Sequence, residues 1–310
     1  MSAVMGEGVD QMKLRTKYDN VAGYTFIAPF IIGFLCFTLI PILASFYLSF
    51  TDYDLFSSPQ WIGLDNYKEM FFEDEKYWNS VKVTFYYVLA GVPLRLGVAL
   101  FIAMLLNRDL QGIGIYRTLF YLPSIIGGSV AVAIMWRNLF GNDGAINALL
   151  FFLGVEQPIY WYQDPISALW TLIFLSAWQF GSPMLIFLAG LKNIPKTYYE
   201  AASVDGAHAG HRFFKITLPL LSPIILFNLV MQTIGAFMTF TPAYIISNGT
   251  GGPLDGTLLY SLYLFQQAFS FFHMGYASAM AWVMLAVIAL LTLLLFKTSS
   301  YWVHYESKEE

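Results

Sequence analysis

Long uncharged apolar runs, punctuated by short charged clusters, organise this chain from end to end. A helix needs about 20 mostly apolar residues to cross the hydrocarbon core of a bilayer. The intervals between charges predict six such spans. The first lies at about 24–50, inside the charge-free stretch from Asn20 to Thr51, and the second runs about 81–107 with Arg95 as its one deep charge. The third fits between Arg117 and Arg137 and the fourth between Asp164 and Lys192, while the fifth and sixth fall at about 217–246 and 274–296. Pro29, Gly33, Pro41, Pro93, Pro123, Pro183, Pro223 and Pro242 interrupt these runs. Such residues argue against helix in water, but membrane helices tolerate them where neighbours re-satisfy the freed backbone groups. The first run is too long for a signal peptide and is followed by further spans, so it reads as retained.

Composition sharpens that picture. Of the 310 residues 57% are hydrophobic and only 12% are charged, with a mean hydropathy of +0.59; a soluble domain carries about 25% charged residues. Disorder, a disulfide scaffold and an ordinary cytosolic enzyme are excluded. Cys36 is the one cysteine, which leaves no internal disulfide and no thiolate zinc cage. A net charge of −4 with scattered basic residues offers no field for nucleic acid. Lys13, Arg15, Lys17, Arg108, Arg117, Lys192, Lys196, Arg212, Lys215, Lys297 and Lys308 fall at one set of span ends, against Lys68, Lys76 and Arg137 at the other. Basic residues favour the cytoplasmic side, so both termini are expected there. The expected organisation is all-α: a cytoplasmic tail over 1–20, a membrane body over 21–300 with an acidic outward loop at 52–80, and a cytoplasmic tail over 301–310.

The inward stretch 192–219 is far longer than a bare turn, which needs only a few residues. It contains Glu200-Ala201-Ala202, then Asp205-Gly206-Ala207, then Phe213, Ile216, Leu218 and Pro219. The small residues suit a helix that another surface approaches closely, and Gly206 and Gly210 are expected to loosen it. This order resembles the signature loop of binding-protein-dependent ABC importer permeases. Further segments resemble the same family: 116–123 (Tyr-Arg-Thr-Leu-Phe-Tyr-Leu-Pro), 190–195 (Gly-Leu-Lys-Asn-Ile-Pro), Gly251-Gly252-Pro253 and Gly275-Tyr276-Ala277-Ser278-Ala279. The branch that it is most similar to is carbohydrate uptake, on the maltose and glycerol-phosphate side. The resemblance implies a type I importer permease fold. It also implies a second homologous permease, two ATPase subunits, an extracytoplasmic solute-binding protein and a carbohydrate cargo.

No Gly-x-x-x-x-Gly-Lys-Ser/Thr loop occurs, so nucleotide phosphates are not cradled here by that route. The chain is expected to bind no cofactor, with ATP and Mg on the partner ATPase subunits. A helix over 200–208 is expected to sit in a groove of that subunit, Glu200 and Asp205 fixing its orientation and Ala201, Ala202 and Ala207 allowing close packing. His208 and His211 have metal-compatible spacing but no companion ligands, and Glu200 and Asp205 have no companion nucleophile, so neither metal binding nor catalysis is expected.

A sugar pathway needs hydrogen-bonding side chains plus aromatic faces, and polar groups in spans default to interior positions. Span 4 offers Ser176, Trp178, Gln179 and Phe180; span 5 offers Asn228, Gln232, Thr233, Gly235, Thr239 and Phe240. The family resemblance, counted from Glu200, implies solute contacts at Gln232, Gly235 and Ala236, with a departure from the maltose permease pattern. Arg95 has two readings: it lines a wet cavity and contacts an anionic solute such as a uronate or sugar phosphate, or it binds carbonyls freed near Pro93. The aromatic segment 257–272 is expected to lie at the outer membrane surface, where the resemblance adds receptor docking. Against the importer stands a stand-alone secondary transporter or channel, which predicts an internal repeat and a membrane-embedded carboxylate or histidine relay; the sequence has no convincing repeat, and the predicted spans contain no Asp or Glu.

Overall fold

The computed structural model describes residues 24–108 and 111–304. The 1–20 tail and residues 305–310 therefore lie outside the described residues. Among the described residues, four helices are long and apolar enough to cross a membrane: α1 (Tyr24–Leu48), α3 (Glu75–Leu106), α10 (Ala209–Phe237) and α13 (Met274–Trp302). Two bent pairs, α4 (Ile113–Ile126) with α5 (Val130–Leu139) and α7 (Pro165–Trp178) with α8 (Gly181–Asn193), bring the number to six if each pair is one span. Shorter elements are the hairpin β1 (Thr51–Asp52) and β2 (Gln60–Trp61), and helices α2 (Asp65–Lys68), α6 (Ala145–Phe152), α9 (Lys196–Val204), α11 (Thr241–Ile246) and α12 (Tyr260–Phe265).

Local chemistry sets the ends of these helices. The Asp74 carboxylate accepts from the Tyr77 amide at 3.0 Å and starts α3 six residues before the apolar run begins. Asp164 caps α7 through the Ser167 amide at 2.9 Å, with Pro165 in the first turn. The third predicted span is not one rod: α4 and α5 meet at 99°. Gly127 and Gly128 release the helix, and the Ser129 hydroxyl re-caps it through the Val132 amide. The fifth span also ends sooner than its apolar run, since α10 stops at Phe237 and α11 begins at Thr241, after the non-helical Phe240.

Helix α3 forms the centre, packing on α7, α8 and α10, while α4 lies on α8, α11 on α5, and α13 between α1 and α10. Leu172, Ile173, Leu175, Met184, Phe187 and Leu221 fill the interior. Gly190 lets α8 and α10 close up, because a Cβ there meets the tips of Ile224 and Leu221.

The two ends of the bundle are distinct. At one, Asn66 Nδ2 donates to the carbonyls of Ser49 and Thr51, at 2.9 and 3.0 Å. The start of α13 lies directly under that turn: the Gly275 amide donates to the Tyr53 carbonyl at 3.1 Å, and any Cβ on Gly275 falls 2.0 Å from the Thr51 oxygen. Asp74 Oδ2 accepts from both Tyr263 and Tyr276, each at 2.6 Å. Burial and the adjacent Asp74 carboxylate push the Tyr263 hydroxyl above the ordinary phenol range, which keeps it a donor. Tyr260 and Tyr263 are thus buried against the bundle, so the front half of 257–272 packs inward instead of lying on the surface; Phe269, Phe271 and Phe272 are its exposed part. At the opposite end the His304 amide donates to the Ser222 hydroxyl at 2.8 Å, tying the chain just past α13 to the middle of α10.

Candidate functional site

The two bent helix pairs break at the same place in the molecule. Pro183 lacks an amide hydrogen, so the Gln179 carbonyl one turn earlier has no helical donor. Three side-chain donors take it instead: Arg95 Nε at 3.0 Å, Arg95 Nη2 at 2.7 Å and Ser124 Oγ at 2.8 Å. Ser124 Oγ also accepts from the Ser182 amide at 3.0 Å. The Gln179 side chain then reaches across and donates to the Gly127 carbonyl at 2.9 Å. Each break is thereby pinned by the other, and α3 is pinned to both. Arg95 is indeed a carbonyl binder, but the carbonyl is the one freed by Pro183, not one near Pro93.

A cavity of about 270 Å³ opens beside this node, lined by Tyr87, Arg95, Gly128, Ser176, Gln179, Gly235, Thr239, Phe240 and Thr241 among others. Two stretches make its walls. Leu172, Leu175 and Ser176 recur at helical spacing on α7 with Gln179 just past its end, and the second runs from Gly235 on α10 through Met238 and Thr239 in the break to Pro242 on α11. The wall carries hydroxyls, one amide, one guanidinium and an aromatic face, with no Asp or Glu among the described residues lining it.

Of the residues expected on a pathway, Arg95, Gln179, Gly235 and Phe240 line this cavity together with Ser176 and Thr239, while Trp178, Phe180, Gln232 and Ala236 do not. Successive helical residues point about 100° apart, so a wall at Gln179 turns both its neighbours away. Trp178 packs against Trp136 with ring centroids 5.8 Å apart, and Phe180 is buried against Phe120. Thr233 faces an apolar groove between α3, α10 and α13. Asn228 is wholly buried on α10, and neither of its amide atoms has a partner among the described residues. Tyr87, Ser124, Gly127, Gly128 and Thr241 were not anticipated; the Gly-Gly-Ser run at 127–129 is a break-and-cap signal that points to two of these positions, Gly127 and Gly128.

The 192–219 stretch is two helices and a turn, not one helix through 208. α9 ends at Val204 in a Schellman motif: the Ala207 amide donates to the Ala202 carbonyl at 2.8 Å and the Gly206 amide to the Ser203 carbonyl at 3.1 Å. Gly206 has φ +75°, the left-handed conformation that this stop requires. It terminates the helix and does not loosen it. His208 Nδ1 then accepts from the His211 amide at 3.2 Å and caps α10, which is its structural use. Tyr199 bonds Thr217 at 2.9 Å, and Arg212 donates to Ser203 at 3.0 Å, holding α9 against the foot of α10. Glu200, Ala201, Asp205 and Gly206 are exposed, Ala202 and Ala207 half-buried, and Val204 is 89% exposed at the tip.

Residues 78–303 match the family described as the binding-protein-dependent transport system inner membrane component. That stretch holds the cavity, both breaks and the α9 turn. The chain belongs to this family. It is accordingly an ABC transporter permease, a transport component of the inner membrane and not an enzyme, with ATP hydrolysis on a separate subunit. It is 76% identical over 307 residues to the probable ABC transporter permease protein YesP of Bacillus subtilis (strain 168), covering 98% of this chain and 99% of that protein. It is 34% identical over 285 residues to the lactose transport system permease protein LacF of Rhizobium radiobacter, covering 90% and 94%. The fold matches a chain in the crystal structure of a bacterial alginate ABC transporter in complex with an alginate pentasaccharide-bound periplasmic protein. The TM-score is 0.78 at 20% identity, covering 92% of this permease and 96% of that chain.

Proposed function

We propose that this permease is one of two homologous membrane halves of an ATP-driven carbohydrate importer, served by an extracytoplasmic solute-binding protein. Relatives named for lactose, arabinooligosaccharide and trehalose/maltose transport support a saccharide cargo. So does the cavity wall, whose hydroxyls suit sugar hydroxyls and whose Phe240 suits ring C–H faces. The excess of Lys and Arg on the α9 side assigns that end to the cytoplasm. There the ATPase subunit, carrying ATP and Mg, receives α9. Glu200 and Asp205 orient it, and Ala201, Ala202, Gly206 and Ala207 let the surfaces close. Closure of two ATPase subunits pulls the two α9 helices together and reorients the cavity between the permeases.

The observation that carries this reading is the projection of α9 and its turn from one end of the bundle, with the cavity above and the 52–80 cap at the other end. Affinity purification of the tagged chain from its native membrane tests it. An ATPase subunit and a second, similar permease are expected in stoichiometric amounts. A chain that purifies alone and transports alone contradicts the reading and favours a stand-alone transporter.

A further inference from the structure

We propose that the cavity takes a saccharide bearing a carboxylate, a uronate, and that Arg95 is the side chain that selects it; this rests on the carbohydrate-import reading above. A guanidinium carries five N–H donors in a rigid fork. The Gln179 carbonyl occupies one edge of it, accepting from Nε at 3.0 Å and Nη2 at 2.7 Å. Nη1 has no partner among the described residues, so the Nη1–Nη2 edge of a cavity-lining arginine is open. That edge has the spacing of two carboxylate oxygens. Ser124 holds the same carbonyl at 2.8 Å, so the fork is clamped from behind and loses little freedom on binding a ligand.

The charge balance points the same way. Arg95 makes no ion pair among the described residues, and no Asp or Glu shares its cavity. A cation at membrane depth is costly, and one carbonyl dipole offsets only part of that cost; an anionic ligand completes it. Helix α5 begins beside Gly128 on the same wall and adds the positive end of its dipole. With no second basic side chain among the described residues on the wall, the site matches the single charge of a uronate better than a dianionic phosphate ester. Tyr87, Ser176, Thr239 and Thr241 are left for the sugar hydroxyls.

The test is uptake by the complete transporter, with its receptor, of hexuronic-acid oligosaccharides against the same oligosaccharides with their carboxyls reduced to primary alcohols. Gly128→Glu is compared with its isostere Gly128→Gln. Gly128 follows the Gly127 carbonyl that Gln179 binds, and a Cβ there meets nothing within 4 Å. A resident carboxylate competes for the fork, so the Glu variant is expected to import uronates about tenfold or more slowly than the Gln variant, with no such gap for the reduced sugars. Arg95→Gln is expected to abolish the preference for acids. Equal uronate uptake by the two Gly128 variants, an Arg95→Gln transporter that keeps its acid preference, or wild-type uptake of reduced sugars at the rate of the acids overturns the inference and leaves carbohydrate import standing. Wild-type uptake of neither class overturns the reading beneath it.

Discussion

Gly127 and Gly128 are neighbours with opposite tolerances. A Cβ on Gly127 falls 2.4 Å from Gln179 Cγ and 2.5 Å from the Pro123 carbonyl, whereas one on Gly128 points into open space. Gly127→Ala is therefore expected to destabilise the permease by about 1–3 kcal/mol, the usual range for overpacking, and Gly128→Ala to leave stability unchanged; thermal unfolding in detergent separates them. Asn228 supplies a second case. Its amide is buried without partners, so Asn228→Leu is expected to raise the melting temperature, by up to the roughly 1–3 kcal/mol that an orphaned polar group costs. A lowered melting temperature would mean that the amide is used. Arg95 was conspicuous in the sequence as a charge within an apolar run. Its partner was not legible, because Gln179 is 84 positions away and only packing decides which helix presents the carbonyl freed by Pro183. Likewise, polarity marked Gln179 and Asn228 equally; the helical rotation that turns one to the cavity and the other into the core is a tertiary outcome.

At the scale of the element, α9 is held by few contacts and stopped by one glycine. Alanine at Gly206 must adopt φ +75°, a conformation that costs an L-residue about 1–2 kcal/mol, or let α9 run on and displace Ala207. Solute moved per ATP is expected to fall in Gly206→Ala, with the complex still assembled by size-exclusion chromatography. Tyr199→Phe removes the bond to Thr217, worth about 1 kcal/mol, and is expected to lower the same ratio more mildly. Unaltered ratios in both would remove α9 from the coupling path. The sequence pattern made the loop and its small-residue helix visible. It hid the stop, because a glycine among alanines reads equally as a weak helix position or as a C-terminal cap, and only the Ala207–Ala202 bond distinguishes them.

Across the whole molecule, apolar run lengths were enough to locate the bundle, since hydrocarbon thickness fixes how much apolar helix a span needs. The breaks in the third span and at the end of the fifth escaped that logic, because Gly127–Ser129 and Met238–Phe240 interrupt the helix without placing a charge in the run. The cap at the 52–80 end depends on one acid: Asp74 starts α3 and accepts from Tyr263 and Tyr276. Asp74→Ala is expected to cost about 1.5–3 kcal/mol or more, the range for hydrogen bonds to a charged group, and Asp74→Asn less, read as melting temperature. The central claim joins both ends, since force received at α9 must reach the cavity under that cap. Its most direct test is the number of solute molecules imported per ATP hydrolysed in proteoliposomes holding the complete transporter, wild type against Glu200→Lys. The account predicts continued hydrolysis with a ratio about tenfold lower, equivalent to roughly 1.4 kcal/mol of lost coupling. An unchanged ratio would contradict it.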